Sequence, residues 1–231
     1  MATAAAPSQA DASLPLYRMD VDTYHRLVEA GALEGVEVEL LDGLLINKWS
    51  HREDAIHRLD VGTYERMVAS GALESRRIEL LEGLLVEVSP HGPDHARVLE
   101  ELTGRLAGSR LRMRVQMPLE AGWGALPEPD LLLIEGQPPP GRHPRTALLV
   151  VEVSVTSHKA DRGEKADMYA GAPIPTYWLV DVPGRAVEVR TEPGPDGYGR
   201  CEIYKAGDRV PSPAEGVEDL DVAALLEDLS G

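Results

Sequence analysis

The chain has 231 residues, enough for one large domain or one domain with an appendage, and 43% of them are apolar. A single cysteine, Cys201, excludes an intrachain disulfide framework and a cysteine-based zinc site. A formal charge of −16 excludes a generally basic nucleic-acid surface, so any phosphate contact must be local.

In chain order, residues 1–18 are small and polar and read as a disordered tail. They lack the basic start and apolar stretch of a signal peptide. No apolar run approaches the roughly 18 residues of a membrane span, and the expectation is a soluble, cytoplasmic protein. Next comes an internal repeat: residues 19–58 and 59–98 share 18 identities over 40 aligned positions. Each copy reads as an Asp, a short amphipathic helix stopped by Gly31 or Gly71, and a strand. A turn at Asp42-Gly43 or Glu82-Gly83 and a second strand follow. Two copies are too few for a solenoid, so a duplicated N-terminal helix-hairpin module is expected.

The string SPHGPDHARVLEEL begins a helix near Asp94, with Val98, Leu99, Leu102 and Leu106 at helical spacing. Strands are expected in LRMRVQMPLE, PDLLLIEG and ALLVVEVSV, the last two separated by the proline-rich QPPPGRHPR. A helix is expected over 161–171, with Asp161 as its cap, then a strand in TYWLVDV. A hairpin from Ala186 turns at Gly-Pro-Asp-Gly, and the chain ends in an acidic segment, 207–231, with a short amphipathic helix. The order of elements places the chain in the α/β class, with a mixed central sheet flanked by helices.

Two acids stand out. Asp130 opens one apolar run and Glu152 lies inside another, and a charge so placed needs a partner or a metal. Two acids on neighbouring buried strands with a lysine nearby, here Lys165, can hold a divalent metal and activate water for phosphodiester cleavage. The competing reading is a solvated acid, a strand-edge acid and a surface lysine. Residues 131–190 are neutral overall, and Arg105, Arg110, Arg112 and Arg114 either meet phosphates or solvate a helix end and strand edge. Tyr169, Tyr177 and Trp178 are expected to pack the core or a dimer contact. No glycine-rich phosphate loop, HExxH string, Cys/His cluster or Gly-x-Ser-x-Gly is present. A nucleotide cofactor, a zinc protease site and an α/β-hydrolase are therefore disfavoured.

The strings RIELLEGLLVEVSPHGPDHARVLEEL, PEPDLLLIEG, LLVVEVSVTS, DRGEKADMYAGAPIPTYWLVD and AVEVR, in this order, resemble the Uma-two family within the PD-(D/E)XK, restriction-endonuclease-like superfamily. The resemblance spans roughly residues 59–206. It implies a restriction-endonuclease-like fold and a Mg²⁺-dependent nuclease, with Mn²⁺ as the alternative ion. Asp130 and Glu152 match the family's metal-binding acids. Ser154 stands where the superfamily's usual lysine would be, and Lys165 on the following helix takes that role. His95 matches a histidine typical of the family, either catalytic or placed at the helix start for structural reasons. Glu79, in the repeated ELL string, is a weaker candidate for a place beside the metal.

The first copy has Ala55 where the second has His95, so residues 19–58 are expected to be a non-catalytic appendage to a nuclease-like domain over 59–206. The expected activity is endonucleolytic cleavage of nucleic acid, DNA before RNA, by a homodimer if both strands are cut. The alternative is a catalytically degenerate nuclease-fold protein that binds a protein partner or nucleic acid.

Overall fold

Short apolar strands and tight turns build two units in this computed structural model, which describes residues 14–49, 56–74, 76–156 and 158–227. The first unit comprises the described residues up to Pro90 together with Trp123–Leu126, and the second His91–Gly122 and the described residues from Pro127 onward.

In the first unit, α1 (Val21–Glu29) precedes the antiparallel hairpin β1 (Val38–Leu41) and β2 (Leu44–Asn47). Then α2 (Val61–Ala69) precedes the hairpin β3 (Ile78–Leu81) and β4 (Leu84–Glu87). Both helices start because an aspartate, Asp20 or Asp60, accepts a hydrogen bond from the backbone N–H three residues on, at 2.7 and 2.9 Å. Both hairpins turn because two successive residues take left-handed backbone: Asp42 and Gly43 at φ 47° and 79°, Glu82 and Gly83 at φ 49° and 81°. Gly83 is also fixed by space, since a Cβ there would lie 2.7 Å from Arg58 Cβ. One apolar core joins both helices and both hairpins, through Leu27, Leu33, Val38, Leu45, Leu59, Tyr64, Met67, Leu80 and Leu126.

Of the expected tail, residues 1–13 lie outside the described residues. Residues 14–18 do not behave as a tail: Leu16 bridges to Val86, the Tyr17 N–H donates to the Leu85 carbonyl at 2.8 Å, and Leu14 and Tyr17 are buried. Their apolar side chains give them something to gain by ordering.

The Asp60 cap makes a stability prediction. The Thr63 backbone N–H is the largest influence holding its carboxyl below the usual range; partial burial opposes, and the Thr63 hydroxyl and Arg66 add to it. Asp60→Ala is expected to cost about 1 kcal/mol in a urea titration. A depressed folded-state pKa contributes stability that is fully present above the unfolded value and lost as pH falls through the folded one. The difference between parent and variant should therefore vanish in acid and persist at neutral pH.

The second unit begins with α3 (Pro93–Leu106), which needs no side-chain cap because Pro93 occupies its first turn, where no N–H partner is required. The strands β5 (Arg112–Val115), β6 (Leu131–Ile134) and β7 (Leu149–Ser154) follow, then helices α4 (His158–Arg162) and α5 (Glu164–Gly171). Next come β8 (Thr176–Asp181), β9 (Ala186–Gly194) and β10 (Gly197–Lys205), and last β11 (Arg209–Val210), β12 (Leu220–Asp221) and α6 (Val222–Leu225). Six strands form a mixed sheet in the order β10-β9-β8-β7-β6-β5. Only the β7–β8 pair is parallel, because α4 and α5 carry the chain back between them.

Period-two alternation sorts the sheet's side chains. Leu131, Leu133, Leu149, Val151, Val153 and Trp178 point one way and pack with Val98, Leu99, Leu102 and Leu106 of α3. Val210, Leu220, Val222, Leu225 and Leu226 join the same core, so the acidic C-terminal segment is apolar where it matters. Glu152 and Tyr177 point the other way, toward α5, whose Tyr169 lies 5.3 Å from Tyr177 between ring centroids.

One expected helix is broken. Gly163, at φ −98° and ψ −100°, separates α4 from α5 and is the N-cap of α5, with no side-chain capping bond. Asp161 therefore does not cap the helix carrying Lys165. It is buried within α4, and its carbonyl accepts the Tyr177 hydroxyl at 2.9 Å. Arg162 anchors this corner, reaching Glu188 and Asp181 at 2.6 Å each.

Candidate active site

The β6–β7 register places the two acids side by side. Leu131 pairs with Val151, so Asp130 and Glu152 stand one step further along, at the same end of the sheet. Each residue is 5% exposed. Asp130 Oδ2 accepts the Val153 N–H at 2.8 Å, which ties the start of β6 to β7. The same oxygen lies 2.9 Å from His95 Nε2, brought in by the first turn of α3. Burial alone would raise the Asp130 pKa. The His95 hydrogen bond and charge, the Val153 N–H and the Lys165 charge outweigh it and hold the carboxyl below its ordinary value. Asp130 is therefore an anion at neutral pH.

Glu152 is held from α5. Lys165 Nζ lies 3.1 Å from Glu152 Oε1, and the Tyr169 hydroxyl donates to the same oxygen at 2.7 Å. The pair Lys165 and Tyr169 reaches one oxygen because residues four apart share a helix face. Lys165 is itself 8% exposed, so the reading of a solvated surface lysine fails. Ser154 is fully buried two residues beyond Glu152, with its carbonyl accepting the Val182 N–H at 3.0 Å. Asp130, Glu152, Lys165 and His95 thus lie in one unit and are linked through two contacts and the Lys165 charge that acts on both acids. Glu79 belongs to the other unit, where it is buried on β3.

Three further residues converge here. His91 lies just before α3, its ring centroid 3.7 Å from that of His95, with Nδ1 3.9 Å from Asp130 Oδ1. Gln116 Nε2 lies 2.7 Å from His91 Nδ1 and 3.5 Å from Asp130 Oδ1. Tyr169, expected only as packing, is also the hydroxyl donor to Glu152. The signal for His91 was in the sequence: two histidines four apart, His91 and His95, around Gly-Pro-Asp. Gln116 and Tyr169 carried no local signal, since their contacts come from distant strands and helices. His91, His95 and Asp130 offer ligand atoms that all lie within 4.8 Å of one another.

The donor chemistry fits a divalent cation. Buried carboxylates on adjacent strands are the usual oxygen ligands of a hard ion, and the nearby imidazoles add nitrogen donors. Of the expected basic cluster, Arg105 is engaged by Glu101 at 2.7 Å, while Arg110 and Arg112 are exposed around the edge strand β5.

Comparison with known proteins bears on the family and on the fold. Residues 61–224 match the family Uma2, described as "Putative restriction endonuclease". No curated protein is matched. Among solved structures, "a putative nuclease belonging to DUF820" from Anabaena variabilis is similar at 15% identity, with a TM-score of 0.54. The similarity covers 66% of this chain and 90% of that one, and at such identity it speaks for the fold.

Proposed function

We propose, from the premise that this chain belongs to the Uma2 family, that its second unit is an endonuclease hydrolysing phosphodiester bonds in nucleic acid, with DNA as the substrate. The observation that carries the reading is the buried pairing of Lys165 with Glu152 beside an ionised Asp130. A buried charge set of this kind is costly to fold and is commonest where chemistry needs it.

Hydrolysis joins a water oxygen to phosphorus as the P–O ester bond breaks, and the water's proton passes to the leaving oxygen. When bound by Asp130 and Glu152, a divalent cation such as Mg²⁺ or Mn²⁺ supplies Lewis acidity toward a phosphoryl oxygen. The chain's own residues do the rest. Lys165 holds a positive charge beside the acids, where negative charge builds on the phosphoryl oxygens. Tyr169 fixes Glu152, and His95 with the Val153 N–H fixes Asp130, so neither carboxylate must reorganise during the reaction. Arg110 and Arg112, both exposed, would meet backbone phosphates in this reading, which reconciles local binding with a chain of charge −16.

We read the two helix-hairpin segments of the first unit as copies of one module. Residues 19–58 contain no counterpart of Asp130, Glu152 or Lys165 and take no part in the chemistry. A second reading, a nuclease-fold protein that binds without cutting, draws on the overall charge and on Ser154 in the superfamily's lysine position.

Lys165→Met separates the two readings. In single-turnover cleavage of a supercoiled plasmid, it is expected to slow nicking by about 10²–10³-fold, with DNA affinity changed little. Equal rates for parent and variant would remove Lys165 from the chemistry. Binding by both proteins with no cleavage by the parent would favour the second reading.

A further inference from the structure

We infer that His91, His95 and Asp130, completed by Gln116, form a nitrogen-rich cation site that selects a transition-metal dication over Mg²⁺. The inference rests on the reading that Asp130 is a metal ligand, and it names the ion class that this ligand set takes.

Four features support it. The ligand atoms of His91, His95 and Asp130 lie within 4.8 Å of one another, a spacing that one ion can bridge. His95 Nδ1 is buried with no hydrogen-bond partner among the described residues, so the ring retains unmet bonding capacity at a site where burial makes that costly. The amide of Gln116 reaches both His91 Nδ1 and Asp130 Oδ1, at 2.7 and 3.5 Å. An N–H donor facing two acceptors has the polarity of a cation facing the same two ligands. Rotating the amide about its last bond exchanges donor for carbonyl oxygen and supplies a fourth ligand. Lastly, Gln116 holds φ at 48°, a left-handed backbone that a non-glycine residue adopts at a cost, and it does so beside the cluster.

The ion follows from the donors. Mg²⁺ prefers an octahedron of oxygens and parts with water reluctantly. Two imidazoles with one carboxylate and one amide oxygen match the borderline ions from Fe²⁺ to Zn²⁺, with affinity generally rising toward the later metals. The absence of a cysteine-pair or HExxH signature hid this site in the sequence, because its oxygen ligands come from the residue before β6 and from the segment after β5.

The test uses the full chain without an affinity tag, stripped of metal and free of nucleic acid. Co²⁺, Zn²⁺ and Mg²⁺ are titrated by calorimetry, and Co²⁺ also by its visible absorption. Co²⁺ and Zn²⁺ are expected to bind at least about 100-fold more tightly than Mg²⁺. His91→Ala is expected to weaken Co²⁺ binding by about 10–100-fold and to shift its absorption, and Gln116→Ala to do so less. His91 has a side chain 22% exposed, so its removal leaves the fold intact, as circular dichroism will report.

Equal affinity for Co²⁺ and Mg²⁺, no Co²⁺ binding, or an unchanged Co²⁺ spectrum in His91→Ala would each overturn the inference. The nuclease reading fails separately. Mg²⁺-supported cleavage by a chain that binds no Co²⁺ leaves the nuclease and removes this site. Co²⁺ binding that needs His91, with no cleavage under any cation, leaves this site and removes the nuclease.

Discussion

Glu152→Gln is expected to reduce the rate of phosphodiester cleavage by roughly 10³-fold or more, with the fold preserved. The substitution keeps the side chain's shape and its oxygen acceptor, so Tyr169 and Lys165 retain a partner. What it removes is the negative charge, which a bound cation requires and which compensates the buried Lys165 ammonium. Lys165 retains attraction to Asp130, whose carboxyl feels its charge. The variant should therefore fold while losing some stability, because a buried charge has lost a counterion. Single-turnover cleavage measures the first effect and thermal unfolding the second. A variant that cuts at the parent's rate would place the chemistry elsewhere. One that fails to fold would be replaced by Glu152→Asp, which retains the charge, shortens the reach and should still lose most of the rate.

The largest stability effect is expected at Trp178. It is fully buried on β8, between β7 and β9, and packs into the core that contains α3 and α6. Trp178→Ala leaves a cavity that the surrounding Val and Leu side chains cannot close, since all of them are held by the sheet or by α3. The cost is about 3–5 kcal/mol, a large fraction of the ~5–15 kcal/mol that typically separates folded from unfolded domains. The other two tryptophans supply the control. Trp49 and Trp123 are 76% and 68% exposed, and their replacement by alanine should shift stability by less than about 0.5 kcal/mol each. Guanidinium titrations of the three variants check the contrast. Similar losses at all three would contradict the described packing.

How much of this was legible in the chain varies with the physics of each element. The central strands were, because PDLLLIEG and ALLVVEVSV are apolar without interruption, and β6 and β7 are buried at every position. Asp42-Gly43 and Glu82-Gly83 announced their turns because few residues tolerate a left-handed backbone. The break at Gly163 was not legible. A glycine within a helical pattern is often tolerated, and only the tertiary anchoring of Arg162 to Glu188 and Asp181 shows why the chain kinks there. The C-terminal segment read as acidic because its acids are spread along its whole length and Arg209 is its one base. Apolar side chains between those acids are the ones buried, while Asp221 caps α6 through the Ala224 N–H at 3.1 Å.

The candidate site divides in the same way. Asp130 and Glu152 were conspicuous because a charge inside an apolar run demands a partner. Lys165 was raised by its place in a polar helical segment near the two acids and given its role by the resemblance, but its burial against Glu152 is a tertiary property that helix periodicity does not contain. His91 drew no reading of its own from the sequence, since its value depends on the neighbouring His95 ring and on Asp130 arriving at the start of β6. Tyr169 behaves as a core residue by burial and as a donor to Glu152 by geometry, and sequence pattern sees only the first.

The most direct measurement is nicking of a supercoiled plasmid by the full chain, started by adding Mg²⁺, Mn²⁺ or Co²⁺ and stopped by a chelator, beside Asp130→Asn. The account predicts cleavage by the parent with at least one ion, none after chelation, and none by Asp130→Asn with any of them. Cleavage that survives chelation or persists in Asp130→Asn would contradict the site. A parent inert toward DNA and RNA with all three ions would contradict the activity.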